Sequence, residues 1–388
     1  MSVTAAAGFR AAGVRAGLRA HGDRPDLALV VNDGPRTTAA GVFTRNQVKA
    51  APVLWSAQVL RERSLRAVVL NSGGANACTG PDGFADTHHT AEKVADVLGC
   101  GAIEVAVCST GLIGERLPIE RLLAGVDTAA GELDAGAVAG TDAATAVLTT
   151  DTVDKQATRT AADSSWTVGG FAKGAGMMAP SLATMLVVVT TDAVLDAAAA
   201  DRALRAATAV TFDRLDVDGS TSTNDTVLLL ASGASGVGPR EDEFAEALRA
   251  VCADLARGLQ ADAEGVTKRI AVTVTGADSD ADALLGARAV ARDSLVKTAL
   301  FGSDPNWGRI AAAIGASEAR VDPASLSVTV NGVLLCAAAT AVGDRAKADL
   351  SGPEITVEVD LGLAGGTATV LTTDLSHAYV EENSAYST

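Results

Sequence analysis

At 388 residues, with 48% hydrophobic and 20% charged side chains, the chain has a globular composition and room for two or three domains. A formal charge of −16 without any basic run disfavours nucleic acid, whose binding relies on clustered Lys and Arg against phosphates. No apolar run approaches the roughly 18 residues of a membrane span, and five cysteines without Cys-x-x-Cys spacing argue for reduced thiols rather than disulfides or a zinc site.

The N-terminal segment carries Arg10, Arg15 and Arg19 before its first acid, Asp23, but no apolar signal core, and reads as mature, cytoplasmic protein. Short apolar runs predict strands at 27–31, 39–44, 65–70 and 103–107, each running into turn-forming residues. Residues 84–98 have helical spacing, and Pro118 opens a helix with Ile119, Leu122, Leu123 and Val126 on one face. Strands follow at 185–191, 226–231 and 270–275, with helices near 199–210 and at 241–258 between them. After Gly276 the pattern changes. Residues 281–300 are helical, 310–314 are apolar, and strands are expected at 326–335 and 355–361, which suggests a smaller C-terminal α+β domain from about 277. The tail from Tyr379 is polar, and residues 383–388, on their own, read as disordered.

Common catalytic motifs are missing. His21, His88, His89 and His377 form no zinc pattern, and there is no Gly-x-Ser-x-Gly elbow, phosphate-binding loop or dinucleotide fingerprint. Asp213, Asp216, Asp218 and Asp225 lack calcium-loop spacing and read as a solvated turn. No metal site is expected. The tripeptide Thr-Thr-Asp recurs at 149–151, 190–192 and 372–374, each time after an apolar segment, as a turn signal.

The most informative stretch is Lys173-Gly-Ala-Gly-Met-Met-Ala-Pro-Ser-Leu-Ala-Thr184, which leads into the apolar run from Met185. Thr184 suits a strand start. If the Ala183–Thr184 bond broke, its hydroxyl would lie beside its own α-amine. With a pKa near 8, that amine can take the hydroxyl proton without a histidine. Cys108-Ser-Thr-Gly-Leu-Ile-Gly114 is either a plain tight turn or one whose N–H groups face an anion. Lys173 is either a surface lysine or a fixed cation, and Glu264 either a solvated helix end or an acidic ligand group. The residues themselves leave these pairs open.

A set of stretches runs in one order through nearly the whole chain. It comprises Gly8-Phe9-Arg10, Gly41-Val-Phe-Thr-Arg-Asn46, Asn71-Ser-Gly-Gly-Ala-Asn76, Cys108 to Gly114, Leu148-Thr-Thr-Asp151 and Lys173-Gly-Ala-Gly-Met177. It continues with Ala183-Thr184-Met185-Leu186, Ser222-Thr-Asn-Asp225, Asp262-Ala-Glu-Gly265, Asp304-Pro-Asn-Trp-Gly308 and Glu382-Asn-Ser384. In these the chain resembles the ornithine acetyltransferase (glutamate N-acetyltransferase) family of arginine biosynthesis.

The resemblance implies self-cleavage between Ala183 and Thr184, and an α/β (α+β) fold with an N-terminal-nucleophile-like αββα sandwich. The expected parts are an α chain of residues 1–183, a β-chain segment 184–276 completing the core, and a smaller α+β domain at 277–388 whose tail returns to the site. It implies Thr184 as nucleophile and Thr110 and Gly111 as the oxyanion hole. Thr150, Lys173, Thr184, Glu264, Asn383 and Thr388 are the implied substrate-binding residues. The implied substrates are N-acetyl-L-ornithine and L-glutamate, with no cofactor. Some family members also use acetyl-CoA, and members are usually oligomers of αβ units, often tetramers. The rivals are a related aminopeptidase or amidase with a similar self-cleaving nucleophile, and a non-enzymatic binding protein.

Overall fold

The computed structural model describes residues 2–19, 22–179 and 185–385. The chain forms two compact units. One comprises residues up to Asp213 together with Ser220–Leu259; the other comprises Arg214–Gly219 together with the chain from Gln260.

In chain order the first unit contains β1 (Phe9–Val14), β2 (Leu27–Asn32), β3 (Thr38–Phe43), α1 (Ala51–Val59), β4 (Ala67–Asn71), α2 (Gly80–Leu98), β5 (Val105–Ser109), α3 (Ile119–Gly131) and α4 (Ala137–Ala146). It continues with β6 (Lys155–Thr160), β7 (Thr167–Lys173), β8 (Leu186–Thr191), α5 (Ala197–Val210), β9 (Thr226–Ala231) and α6 (Glu241–Ala261), whose last two residues fall in the second unit. The strands make two sheets, ordered β1-β2-β4-β5 and β3-β9-β8-β7-β6. Each sheet holds one parallel pair, β4 with β5 and β8 with β9, and each pair is joined through a helix, α2 or α5, as a parallel crossover requires. The central strands β2, β8 and β9 are buried at every residue, which explains their unbroken apolar runs.

Residues of both sheets share one hydrophobic cluster. Val30, Val68 and Val107 of the first sheet join Phe171, Leu186, Val188, Leu228 and Leu230 of the second. With helices packed on the sheets, this is the expected α/β fold of two apposed sheets flanked by helices. The strands and helices expected in this unit are present; β1, α1, α4, β6 and β7 were not foreseen.

The second unit contains β10 (Arg269–Ala277), α7 (Asp280–Arg292), α8 (Ser294–Phe301), α9 (Trp307–Gly315), β11 (Ser327–Val330), β12 (Val333–Ala337), β13 (Thr340–Ala341), β14 (Glu354–Asp360), β15 (Gly366–Thr373) and α10 (His377–Ala385). Its strands form one sheet, ordered β13-β12-β11-β14-β10-β15. β14 alternates between exposed and buried residues, and its buried side joins the cluster made with α7, α8 and α9.

Three expectations need correction here. The helical stretch 281–300 is two helices, because Asp293 takes an extended conformation and caps α8, accepting from Val296 N–H at 2.8 Å. The strand 326–335 is the hairpin β11–β12, folded back at Asn331-Gly332, both with positive φ. Of the residues 383–388 read as disordered, 383–385 are described and end the helix α10.

Candidate active site

The first unit concentrates polar residues at the ends of β5, β7 and β9. β7 ends at Lys173, and the antiparallel register sets Lys173 opposite Leu186, two residues beyond Thr184. Lys173 is no surface lysine, being only 1% exposed. Its Nζ donates to Thr110 Oγ1 at 3.2 Å and Thr149 Oγ1 at 2.8 Å, and lies 3.7 Å from Asp151 Oδ2. Asp151 also takes Lys155 Nζ at 2.5 Å and Gly174 N–H at 2.7 Å. Burial alone would raise the pKa of Asp151, but Lys173 and Lys155 hold it well below the usual carboxylate range. Two buried ammonium groups therefore share one ionised carboxylate.

Thr110 follows β5 and is buried. Its N–H donates to Asn71 O at 2.9 Å, and its carbonyl accepts from Gly74 N–H at 3.1 Å. Asn71-Ser-Gly-Gly thus forms the bed of this turn. Gly111 has φ +129°, and a Cβ there would come within 2.9 Å of the Gly74 backbone, so only glycine fits. The Thr110 amide is committed to the fold. With Lys173 Nζ donating to Thr110 Oγ1, the Thr110 hydroxyl keeps its own hydrogen to give.

Ser222-Thr-Asn-Asp225 ties these pieces together. Asn224 Nδ2 donates to Ser109 O at 2.8 Å and Ala75 O at 2.6 Å, which fixes the end of β5. Asp225 Oδ1 accepts from the N–H of Met185, the residue after Thr184, at 3.0 Å, and Thr226 N–H bonds the Met185 carbonyl at 3.0 Å. The solvated-turn reading is wrong for Asp225 and Asp216, both fully buried. Burial raises the Asp225 pKa well above the usual carboxylate value, against the opposing Met185 N–H bond and the charge of Lys173.

Ala183, Thr184 and Thr388 lie outside the described residues. Thr150 is half-buried beside Thr149, the hydroxyl that Lys173 bonds. Sequence reasoning missed Thr149, Asp151, Lys155 and Asp225; the signal available was Thr-Thr-Asp. All three Asp residues of that tripeptide, Asp151, Asp192 and Asp374, are buried and accept backbone N–H groups of other segments.

In the second unit, Asn383 Nδ2 of α10 donates to Glu264 Oε2 at 2.9 Å. Gly265, at φ +61°, makes this approach possible, since a Cβ there would lie 2.2 Å from Tyr379 N. Ser376 fixes the helix start, donating to Gly265 O and accepting from Tyr379 N–H at 3.0 Å. Burial, with Asp218 and Glu264 nearby, pushes the Tyr379 phenol up to about 12. Glu264 and Asn383 thus meet; Lys173, Thr110 and the segment beside Thr150 meet in the first unit.

Among the described residues no group of His, Cys, Asp and Glu could hold a metal, no helix is long and apolar enough to cross a membrane, and all five thiols are free.

A family model described as the ArgJ family matches residues 10–388. The arginine biosynthesis bifunctional protein ArgJ of Mycobacterium tuberculosis (strain ATCC 25618 / H37Rv) is 63% identical over 390 residues, covering 99% of this chain and 96% of that protein. Its namesake from Streptomyces coelicolor is 59% identical, covering 100% of both. A chain from the crystal structure of ornithine acetyltransferase complexed with ornithine, from Mycobacterium tuberculosis, is 66% identical with a TM-score of 0.46, covering 47% of this chain and 96% of that one.

Proposed function

Since the chain belongs to the ArgJ family, we propose that it transfers acetyl from N2-acetyl-L-ornithine to L-glutamate, giving L-ornithine and N-acetyl-L-glutamate. The observation that supports this best is the Lys173–Thr110–Gly111 corner beside Met185. A fixed cation bonded to a threonine hydroxyl, followed by an obligatory glycine, suits the charge that develops on an acyl oxygen.

Processing comes first. Thr184 Oγ attacks the Ala183 carbonyl, the amide nitrogen leaves as the Thr184 amine, and water hydrolyses the ester, leaving an α chain of residues 1–183 and a β chain from Thr184. In turnover the Thr184 amine takes the hydroxyl proton, Oγ attacks the acetyl carbon, and the proton passes to the departing ornithine amine. The Thr110 hydroxyl and Gly111 N–H hold the developing oxyanion. Glutamate's amine then attacks the acetyl ester and regenerates the hydroxyl. Lys173 and Thr150 bind substrate, with Lys173 supplying a fixed positive charge. Glu264, oriented by Asn383, takes the side-chain ammonium of ornithine, and Thr388 completes the substrate site. The working form is an oligomer of αβ units in the cytoplasm. No cofactor enters these steps.

Mass spectrometry of the purified protein, followed by an acetylornithine-plus-glutamate assay, tests this. A second polypeptide beginning at Thr184 and glutamate-dependent ornithine release are expected. Thr184→Ala should leave an uncleaved, inactive precursor; normal processing in that variant refutes the nucleophile. Acetate release at the same rate without glutamate would instead identify a hydrolase.

A further inference from the structure

Acetyl transfer between two amino acids sets a recognition problem. Ornithine and glutamate share an α-amino acid head, but one side chain ends in an ammonium and the other in a carboxylate. A carboxylate such as Glu264 suits the first and repels the second. Glutamate therefore needs a cation of its own for its side chain.

The connection from β1 to β2 brings arginines to the catalytic corner. Asp26, only 1% exposed, shapes it. Its carboxylate accepts the N–H groups of Ala16 at 2.6 Å, Leu18 at 2.7 Å and Arg19 at 3.2 Å, and its carbonyl accepts Ser72 N–H at 3.0 Å. The connection is thus bolted to Asn71-Ser-Gly-Gly, the bed of the Thr110 turn. Arg19 adds to the joint, donating from Nε at 3.2 Å and from Nη2 at 2.8 Å to Ser72 Oγ.

Arg24 reaches the other side of the corner. Its Nη1 donates to the carbonyl of Asp151 at 3.3 Å. Asp151 is the residue whose side chain faces Lys173 Nζ at 3.7 Å. Two cations therefore stand on one aspartate, Lys173 at its carboxylate and Arg24 at its carbonyl. They are no further apart than roughly the span of an extended glutamate with a cation on each carboxylate. Arg24 is exposed, and the acid beside it, Asp23, pairs with Arg15 at 2.7 Å. A guanidinium that gives one N–H to a backbone carbonyl keeps others for a planar carboxylate.

We propose that Arg24 binds the side-chain carboxylate of the incoming glutamate and sets specificity for it, with Asp26 and Arg19 as positioning residues. This role rests on the acetyl transfer proposed above.

The test compares the processed parent with Arg24→Gln in steady state, offering glutamate or its uncharged isostere glutamine to the acetylated enzyme. The parent should favour glutamate in kcat/KM. In Arg24→Gln the KM for glutamate should rise roughly tenfold, the loss expected for a hydrogen bond between charged groups. The preference for glutamate over glutamine should shrink by the same factor, while the KM for N-acetylornithine moves less than twofold. Arg24→Lys should restore part of the preference, because it restores the charge without the fork. A preference left intact in Arg24→Gln, or an equal rise in KM for N-acetylornithine and glutamate, overturns the assignment of Arg24 and leaves acetyl transfer standing. A parent that releases no ornithine in response to glutamate fails the transfer reading itself, and the role of Arg24 with it.

Discussion

Each unit of this protein buries a cluster of charge, and the two clusters are built differently. In the first, Asp151 holds Lys155 and Lys173, and Lys173 bonds the hydroxyls of Thr110 and Thr149. In the second, Asp216 holds Arg292, and Lys297 Nζ donates to the carbonyls of Val217 and Thr373 and the hydroxyl of Thr372. Backbone carbonyls are fixed acceptors that the ammonium spends its hydrogens on. A hydroxyl accepts one hydrogen bond and still has its own hydrogen to give. Lys173 therefore sits on two hydroxyls that keep a hydrogen to give, whereas the one hydroxyl on Lys297, that of Thr372, donates to the Ala291 carbonyl at 3.2 Å and closes a knot. Burial of a lysine is common to both; the difference is in what its partners have left to offer.

The sharpest break of the first cluster is Asp151→Asn. It leaves two buried ammonium groups without their carboxylate, a loss of about 3–5 kcal/mol. Because its folded pKa is depressed, the contribution of Asp151 is present above its unfolded pKa and fades only as pH falls toward the folded one. Chemical denaturation at neutral pH should show the loss; a change within about 0.5 kcal/mol, typical of an exposed surface position, would contradict the shared-carboxylate picture.

Next in size is Thr110→Val, which removes the hydroxyl that Lys173 bonds. Acetyl transfer should fall by about 10²–10³ in kcat. Lys173→Met should come close to it in rate, yet cost little stability, because Asp151 keeps the nearer cation Lys155 at 2.5 Å. Steady-state kinetics paired with denaturation curves separate the two effects. Loss of stability as large as that of Asp151→Asn would make Lys173 structural like Lys297.

The unequal legibility of the two units has physical causes. Strands such as β2, β8 and β9 are buried on both faces, so unbroken apolar runs betray them. α4 was invisible because half of Ala137–Ala146 is alanine, with no large apolar stripe to count, and β6 because Lys155 and Gln156 stand where a hydrophobic pattern was sought. The Asn331-Gly332 turn, by contrast, was legible and overlooked, since Asn-Gly between apolar residues is a strong hairpin signal. At the site, the family motifs gave Thr110, Gly111 and Lys173. Asp151 and Asp225 were masked by their type, because an aspartate beside turn residues is more often exposed than buried. Their burial depends on lysines and backbone N–H groups brought from other strands, which no local window contains.

A smaller effect is expected from Lys297→Met. It strands two carbonyls and a hydroxyl in the second unit and should cost about 2 kcal/mol. Transfer by the folded enzyme should stay within twofold of the parent. A large fall in kcat with stability intact would erase the distinction drawn between the two lysines.

The gentlest test is the pH dependence of the second cluster. Burial raises the Asp216 pKa to about 6, even though Arg292 and Lys297 oppose the shift. Burial lowers the Lys297 pKa to about 8, against Asp216, Asp218 and Asp374. A carboxyl raised in the folded state favours folding below its unfolded pKa near 4 and loses that contribution as pH climbs to about 6. A lysine depressed in the folded state has the opposite limb, with stability recovering as pH rises from about 8 toward 10. The knot is thus costliest between those limbs, where both groups carry charge. Subtracting the denaturation curve of Asp216→Asn from that of the parent isolates the first limb, with a slope of at most about 1.4 kcal/mol per pH unit. A difference curve rising with pH from 4 to 6 would mean that the ion pair outweighs burial at Asp216, as Lys155 and Lys173 outweigh it at Asp151.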